Sequence, residues 1–259
     1  MKITDRVYCR IGEQGTSNIG WILGDEYCTV VDTAMTPEET RQDLQAVGET
    51  TDKDIRFLIN THYHPDHTFG NMHFSEIIGH SFCYEKLKEM TPFYMEDAKN
   101  AQNKERFQEF FIKLPTLTFK ERVTIHAEPD IEIIHQGGHT PGSAVVYIPE
   151  EKVLFSGDLL FAGYHPYMGD ADINQWITAL HALLSLEFKA IIPGHGEVCD
   201  KEEIKRHITY LQAFLDTMRD LKKKYSKETL LEKPYLLDLP QLGNEERIRR
   251  NIDAQYHKI

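Results

Sequence analysis

Apolar and polar positions along this chain follow two rhythms in alternation. Residues 3–11, 18–24 and 27–32 are short β-prone runs separated by turn residues at Gly12–Gly15 and Gly24–Glu26, which predicts three strands in close succession. Thr36-Pro37-Glu38-Glu39 reads as a helix start. Thr36 can cap, proline suits the first helical position, and Glu39 can complete a capping box for a helix to about Val47. Ile55–Ile59 is a short apolar strand. Residues 81–113 are polar and read as helical, with a break expected at Pro92. Strands return at 122–126, 130–135, 143–148 and 152–156. A helix capped at Asp172 follows, to about Leu186, and then an apolar strand at Phe188–Ile192. From about Lys201 to Lys223 the residues Ile204, Ile208, Leu211, Leu215, Met218 and Leu221 recur at helical spacing on one face. Residues 244–256 read as a final helix.

The chain therefore runs as two broadly similar halves, each with early strands, a helix and an apolar strand. Two packed sheets with helices outside would bury this pattern, an α/β layered arrangement. We expect one domain over residues 1–259, with a helical excursion at about 81–113 and a C-terminal helical extension at about 200–259.

Composition narrows the function. With 41% hydrophobic and 27% charged residues the chain is globular in character. A net charge of −12 repels phosphate backbones, so nucleic acid is not an expected partner. The opening segment has no apolar signal region, and no run approaches the roughly 20 apolar residues of a membrane span. The four cysteines are scattered and form no CxxC pair, as expected of reduced thiols in a cytoplasmic protein.

The chemistry is concentrated at Asn60-Thr61-His62-Tyr63-His64-Pro65-Asp66-His67. Imidazole nitrogens and carboxylate oxygens are ligands for zinc. Alternating positions in an extended segment point the same way, so His62 and His64 can grip one ion, while Asp66 and His67, beyond the turn at Pro65, can reach a second. Three further segments each place a ligand just past a strand: Gly137-Gly138-His139, Ser156-Gly157-Asp158 and Pro193-Gly194-His195-Gly196. Sites gather at strand ends because the strands are rigid and the loops beyond them are free to vary.

The HxHxDH run at 62–67, GHTPG at 138–142, SGD at 156–158 and PGHG at 193–196 together resemble the metallo-β-lactamase superfamily. The resemblance implies a four-layer αββα sandwich with a binuclear site at the edge between the sheets. It implies that His62, His64 and His139 hold the first metal, that Asp66, His67 and His195 hold the second, and that Asp158 bridges them. True β-lactamases of the superfamily do not use a bridging aspartate there, so the resemblance points to the glyoxalase-II-like branch. The glutathione-binding C-terminal region of glyoxalase II has no match here. Phe161 stands where acyl-homoserine lactonases carry tyrosine, and His64 where flavodiiron proteins carry glutamate.

The expected function is that of a zinc-dependent hydrolase of a thioester, ester or lactone, with two divalent ions (iron or manganese as alternatives to zinc), a metal-bridging hydroxide as nucleophile, and Asp66 and Asp158 in catalytic roles. Two carboxylates against two divalent ions would leave about two units of positive charge to favour that hydroxide. Tyr164, His165 and Tyr167 are candidates to line the substrate pocket, and a small molecule is the expected partner, with a homodimer as a further expectation. The alternatives are a mononuclear iron persulfide dioxygenase using His62, His139 and Asp158, and, further off, a nuclease. His73, His80, His126, His135, His181 and His207 are read as structural or solvated, the last two on helices far from any ligand turn. The arginines at 247, 249 and 250 are read first as a solvated helix face and second as a clamp for an anionic substrate.

Overall fold

The structure is a computed structural model and describes residues 1–240 and 242–259. The first sheet contains β1 (Val7–Arg10), β2 (Ile19–Leu23), β3 (Cys28–Val31), β4 (Ile55–Asn60), β5 (Glu76–His80) and β6 (Leu117–Phe119), side by side in that order. It is antiparallel through β3 and parallel thereafter. The second contains β7 (Arg122–Ile125), β8 (Ile131–His135), β9 (Ala144–Ile148), β10 (Val153–Phe161) and β11 (Ala190–His195), in the spatial order β11-β10-β9-β8-β7, with only β10 and β11 parallel.

Strand side chains alternate between faces, and both faces of each sheet are covered. Between the sheets, Ile22, Val31, Phe57 and Ile59 meet Ile133, Val146, Phe155 and Ile192. On the outer face of the first sheet, Trp21, Val30, Leu58 and Ile77 pack with Val47 of α1 (Pro37–Gly48). On the outer face of the second, Val145, Leu154 and Ile191 lie under Trp176 and Leu180 of α4 (Ile173–Leu183) and Leu211 and Phe214 of α5 (Lys201–Leu221). The result is an αββα sandwich, with the short α2 (Pro65–Thr68) and the longer α3 (Ser81–Asn100) following the first sheet's strands, and α6 (Lys227–Glu232) and α7 (Glu245–Gln255) closing the chain. Among the described residues no helix is long and apolar enough to cross a membrane.

The start of α1 follows the sequence closely: Thr36 accepts from the Glu39 amide, and the Glu39 carboxylate accepts from the Thr36 amide. Elsewhere the structure corrects the expectations. Pro92 does not break α3, which runs through it. Pro92 is exposed, as is Lys88, whose carbonyl loses its helical donor, so water can satisfy that carbonyl while Cys83, Leu87, Tyr94 and Ala98 anchor the helix on both sides. Past Asn100 the helix ends, and the only helical element in residues 101–113 is a 3₁₀ turn, Lys104–Phe107; Phe107 in it and Phe110 beyond it pack on Phe69. Strands β5 and β6, of five and three residues, lie outside the expected strands, while α6 falls within the expected C-terminal helical extension. Strand β10 is longer than expected and carries Asp158 inside it, past a register shift between Phe155 and Gly157, and β11 includes His195 as its last residue.

Because α3 is continuous, Pro92→Ala restores a backbone donor to an intact helix. We expect a stability gain of about 1 kcal/mol, the recovered hydrogen bond being partly offset by a more flexible unfolded chain. Denaturant unfolding measures it, and a loss of stability would mean that Pro92 marks a real discontinuity in solution.

Candidate metal centre

The two sheets meet at one edge, and backbone hydrogen bonds fasten them there. The Ala144 amide donates to the Thr61 carbonyl at 2.8 Å and the Asn18 amide to the Gly194 carbonyl at 2.7 Å. The Asn18 side chain donates to the carbonyls of Pro193 and Gly196. At this seam the structure brings together all seven residues singled out from the sequence.

His62 and His64 follow the end of β4, His64 in extended conformation at the start of α2, which then turns Asp66 and His67 inward. His139 comes from the turn between β8 and β9. There Gly138 has φ of +90°, and a Cβ on it would strike the backbone of Trp176. Asp158 projects from β10 against Gly194, where a Cβ would overlap its carboxylate. His195 ends β11.

Facing atoms fall into two clusters, one of His62, His64, His139 and Asp158, the other of Asp66, His67 and His195, each within 4.8 Å. Asp158 faces both. Its Oδ2 lies 3.7 Å from His62 Nε2 and 3.4 Å from His139 Nε2, and its Oδ1 lies 3.1 Å from His67 Nε2 and 3.3 Å from His195 Nε2.

The opposite ring nitrogen of each histidine is engaged by oxygen. His64 Nε2 meets Asp170 at 2.9 Å, His67 Nδ1 meets Asp32 at 2.9 Å, His62 Nδ1 meets Thr61 Oγ1 at 3.1 Å, His139 Nδ1 meets the Tyr167 carbonyl at 3.1 Å and His195 Nδ1 meets the Gly15 carbonyl at 2.9 Å. The Thr61 hydroxyl donates to Asp32, which leaves it to accept from His62. Outward N–H donation assigns the tautomer of every ring, so each inward nitrogen of the neutral imidazoles presents a lone pair. His64 Nδ1 stands 3.0 Å from both His62 Nε2 and His139 Nε2, three lone pairs with no proton to share. His67 Nε2 and Asp158 Oδ1 are buried with no hydrogen-bond partner among the described residues, despite their proximity. Such a donor set fits divalent cations that accept nitrogen and oxygen.

The electrostatics agree. Burial resists protonation of His195, but Asp158 and Asp66 carry its pKa to about 10. Burial also resists protonation of His67, and Asp158, Asp66 and Asp32 push its pKa well above the ordinary value. Burial drives His62 well below its ordinary value and His139 down to about 3. One side of the site is starved of positive charge and the other is a set of neutral imidazoles.

A model of the metallo-β-lactamase superfamily matches residues 12–195. The chain belongs to the metallo-β-lactamase superfamily. Among similar proteins of this kind are the acyl-coenzyme A thioesterase MBLAC2 of Homo sapiens, 24% identical over 76% of this chain and 79% of the relative, and a type 2 metallo-β-lactamase of Pseudomonas aeruginosa, 27% identical over 76% and 73%. The fold is that of the DIM-1 metallo-β-lactamase (TM-score 0.65, 22% identity, 82% of this chain and 95% of that one) and of a metallo-β-lactamase from Pontibacter korlensis (TM-score 0.63, 21% identity, 82% and 97%).

Within this metallo-β-lactamase fold the remaining candidates separate. Tyr164 lines a cavity of about 440 Å³ that also reaches His195. His165 borders the same cavity but is bonded to the Tyr210 hydroxyl at 2.8 Å. Tyr167 places its ring 5.5 Å from that of His64. His73, His126, His135 and His181 stand outside the cluster, and His80 is buried, accepts from the Phe82 amide at the start of α3 and stacks on His135 at 4.0 Å. His207 corrects the expectation that it lies far away. It is buried behind Phe161, whose ring stacks on His195 at 4.9 Å, and burial pushes its pKa down to about 3.

Sequence reasoning missed Asp32 and Asp170, because each is an isolated aspartate in a loop with no ligand spacing around it. Burial opposes ionisation of Asp170, yet hydrogen bonds from His64 and Tyr63 hold its pKa below the usual carboxylate range. With them the carboxylates at the site number four: Asp32, Asp66, Asp158 and Asp170. Beside two divalent ions, the expected excess of about two positive charges would be balanced one layer out by Asp32 and Asp170. Asp32 sits at φ of +60°, a conformation asparagine tolerates, and Asp32→Asn keeps one acceptor while removing the charge. We expect the variant to fold and to bind metal about 10- to 100-fold more weakly, as measured by chelator competition.

Proposed function

We propose that the protein is a zinc-dependent hydrolase of thioesters, of the glyoxalase-II-like kind, with two divalent ions and a small-molecule substrate. One observation carries the two-ion reading: the two oxygens of Asp158 face two different histidine clusters. In this reading His62, His64 and His139 hold one ion, Asp66, His67 and His195 the other, and Asp158 spans both. The likeness to an acyl-coenzyme A thioesterase over 76% of the chain supports thioesters above esters and lactones.

When bound, the ions supply Lewis acidity toward a carbonyl oxygen and a water of lowered pKa. The chain's own residues do the rest. Asp158, buried inside β10, fixes the separation of the two positions. Asp32 and Asp170 keep His67 and His64 in the tautomers that aim lone pairs inward. Asp66 has the most exposed side chain of the seven, at 25%, and its Oδ2 lies 3.3 Å from His195 Nε2. It is the group placed to pass a proton between solvent and the departing thiolate. Beyond Phe161 and Tyr164 a second cavity of about 470 Å³, largely apolar, offers room for an acyl chain.

The iron dioxygenase reading would leave His64, Asp66, His67 and His195 without a role, although His64, His67 and His195 are each oriented by a hydrogen bond of their own. A cytoplasmic, single-domain protein that dimerises is the setting we propose for this activity. Elemental analysis of protein produced with both zinc and iron available should give about two zinc per chain. Asp158→Asn should lose metal and reduce thioester turnover by more than the roughly 10- to 100-fold typical of residues behind the ligands. One iron per chain with little zinc, or an Asp158→Asn protein with normal metal and turnover, would sink the proposal.

A further inference from the structure

We propose that Arg247 selects the substrate by binding an anionic group carried on the same molecule as the scissile carbonyl, an inference that rests on the hydrolase reading above. The cavity of about 440 Å³ that reaches His195 is walled on its other side by the first turns of α7, which contribute Asn244, Glu246, Arg247 and Arg250. This wall sets two arginines and one glutamate against the cavity.

The three arginines of α7 are not equivalent. Arg249 lies 3.3 Å from Glu245 and 3.9 Å from Glu246 and donates to the Leu231 carbonyl. Arg250 is exposed and lies 3.6 Å from Glu246. Glu246, the carboxylate on the cavity wall, is thus shared by those two. Among the described residues Arg247 has no carboxylate at ion-pair distance. It is half-buried, and its guanidinium stands 5.3 Å from the centroid of the Tyr167 ring, which in turn lies 5.5 Å from His64.

That position is rigid. The Asn251 side chain accepts from the Met168 amide and donates to the Pro166 carbonyl, and Gln255 donates to the carbonyls of Met168 and Ala171. Asn251, Ile252 and Gln255 are buried, so α7 and the segment 166–171 move as one piece, and that segment carries both Tyr167 and Asp170. A guanidinium held over an aromatic face, partly desolvated and without a carboxylate of its own, is suited to a carboxylate or phosphate, which it can grip with two parallel N–H donors. The anion can belong to the acyl part of the substrate or to the thiol part, and the two are separable by experiment.

The test uses metal-loaded full-length protein and two pairs of thioesters. Hexanoyl-coenzyme A and hexanoyl-N-acetylcysteamine differ in the charge of the thiol. Glutaryl- and glutaramoyl-N-acetylcysteamine differ in the charge of the acyl group. In at least one pair, Arg247→Ala should raise KM for the charged member about 10- to 100-fold with kcat little changed, while the uncharged member moves far less. Arg247→Lys should fall between, since it keeps the charge but not the fork. The pair that responds identifies the part bearing the anion. Equal effects on charged and uncharged members, or no effect on any, overturn the proposal. If the wild type hydrolyses none of the four, the hydrolase reading fails instead. Arg247 is then judged by calorimetric titration with coenzyme A and with glutarate. About tenfold weaker binding of either to Arg247→Ala upholds its role, and equal affinities of both overturn it.

Discussion

The site depends on one constraint: five buried imidazoles each turn one ring nitrogen outward to an oxygen, and the inward nitrogens of His62, His64 and His139 face one another as lone pairs with no proton to reconcile them. Each outward N–H is committed to an oxygen, from Asp32, Asp170, Thr61, Gly15 or Tyr167. An inward lone pair facing another at 3.0 Å in a dry environment is repulsive and costs free energy unless a cation sits between them. Buried carboxylates around the same centre raise the demand. The sandwich therefore brings together an arrangement that is satisfied by metal, so metal binding and the stability of this edge are thermodynamically linked.

The fold meets this demand by making the seam between its sheets rigid where it is most expensive to be loose. Two strand ends, one from each sheet, are joined by the bond from Ala144 to Thr61 and by the contacts from Asn18 to Pro193, Gly194 and Gly196. Thr61 is both a sheet-to-sheet link and the hydroxyl that receives the His62 ring while donating to Asp32. Asp32 in turn accepts from the Thr61 amide and holds His67. The backbone seam and the orientation of two histidines are thus one hydrogen-bond network, and a disturbance of either reaches the other.

What could be read from the sequence, and what could not, follows from the range of each interaction. The capping box at Thr36 and the amphipathic face of α5 are encoded within a few residues and were legible. So were the seven inward groups, because HxHxDH and the Gly-flanked His139, Asp158 and His195 are local patterns. Pro92 misled because its cost depends on whether the carbonyl it orphans faces water, which only the packing of α3 decides. Strand β5 pairs in parallel on both sides, and β6 has only three residues. Both take their identity from neighbours distant in sequence rather than from alternation of their own. Asp32, Asp170 and His207 act through partners 29 to 106 residues away or through a stacked ring, so no spacing reveals them.

The C-terminal helix shows how the same reasoning extends from structure to specificity. Residues 166–171 supply Asp170 behind His64 and the Tyr167 carbonyl behind His139, so the aim of two histidines depends on where this segment rests. It rests on Asn251 and Gln255. Helix α7 is therefore not an appendage to a site complete without it, because the contacts that hold the segment also place Arg247 on the cavity wall. The part of the chain with the least recognisable pattern thus acts on the first metal cluster from behind and on the cavity from in front. A change at Asn251 or Gln255 that displaced α7 would be felt both in the position of Arg247 and in the aim of His64 and His139, whereas truncating Arg247 leaves those contacts in place. If Arg247 acts as proposed, the position of the selecting group and the aim of His64 and His139 rest on the same four buried hydrogen bonds of Asn251 and Gln255.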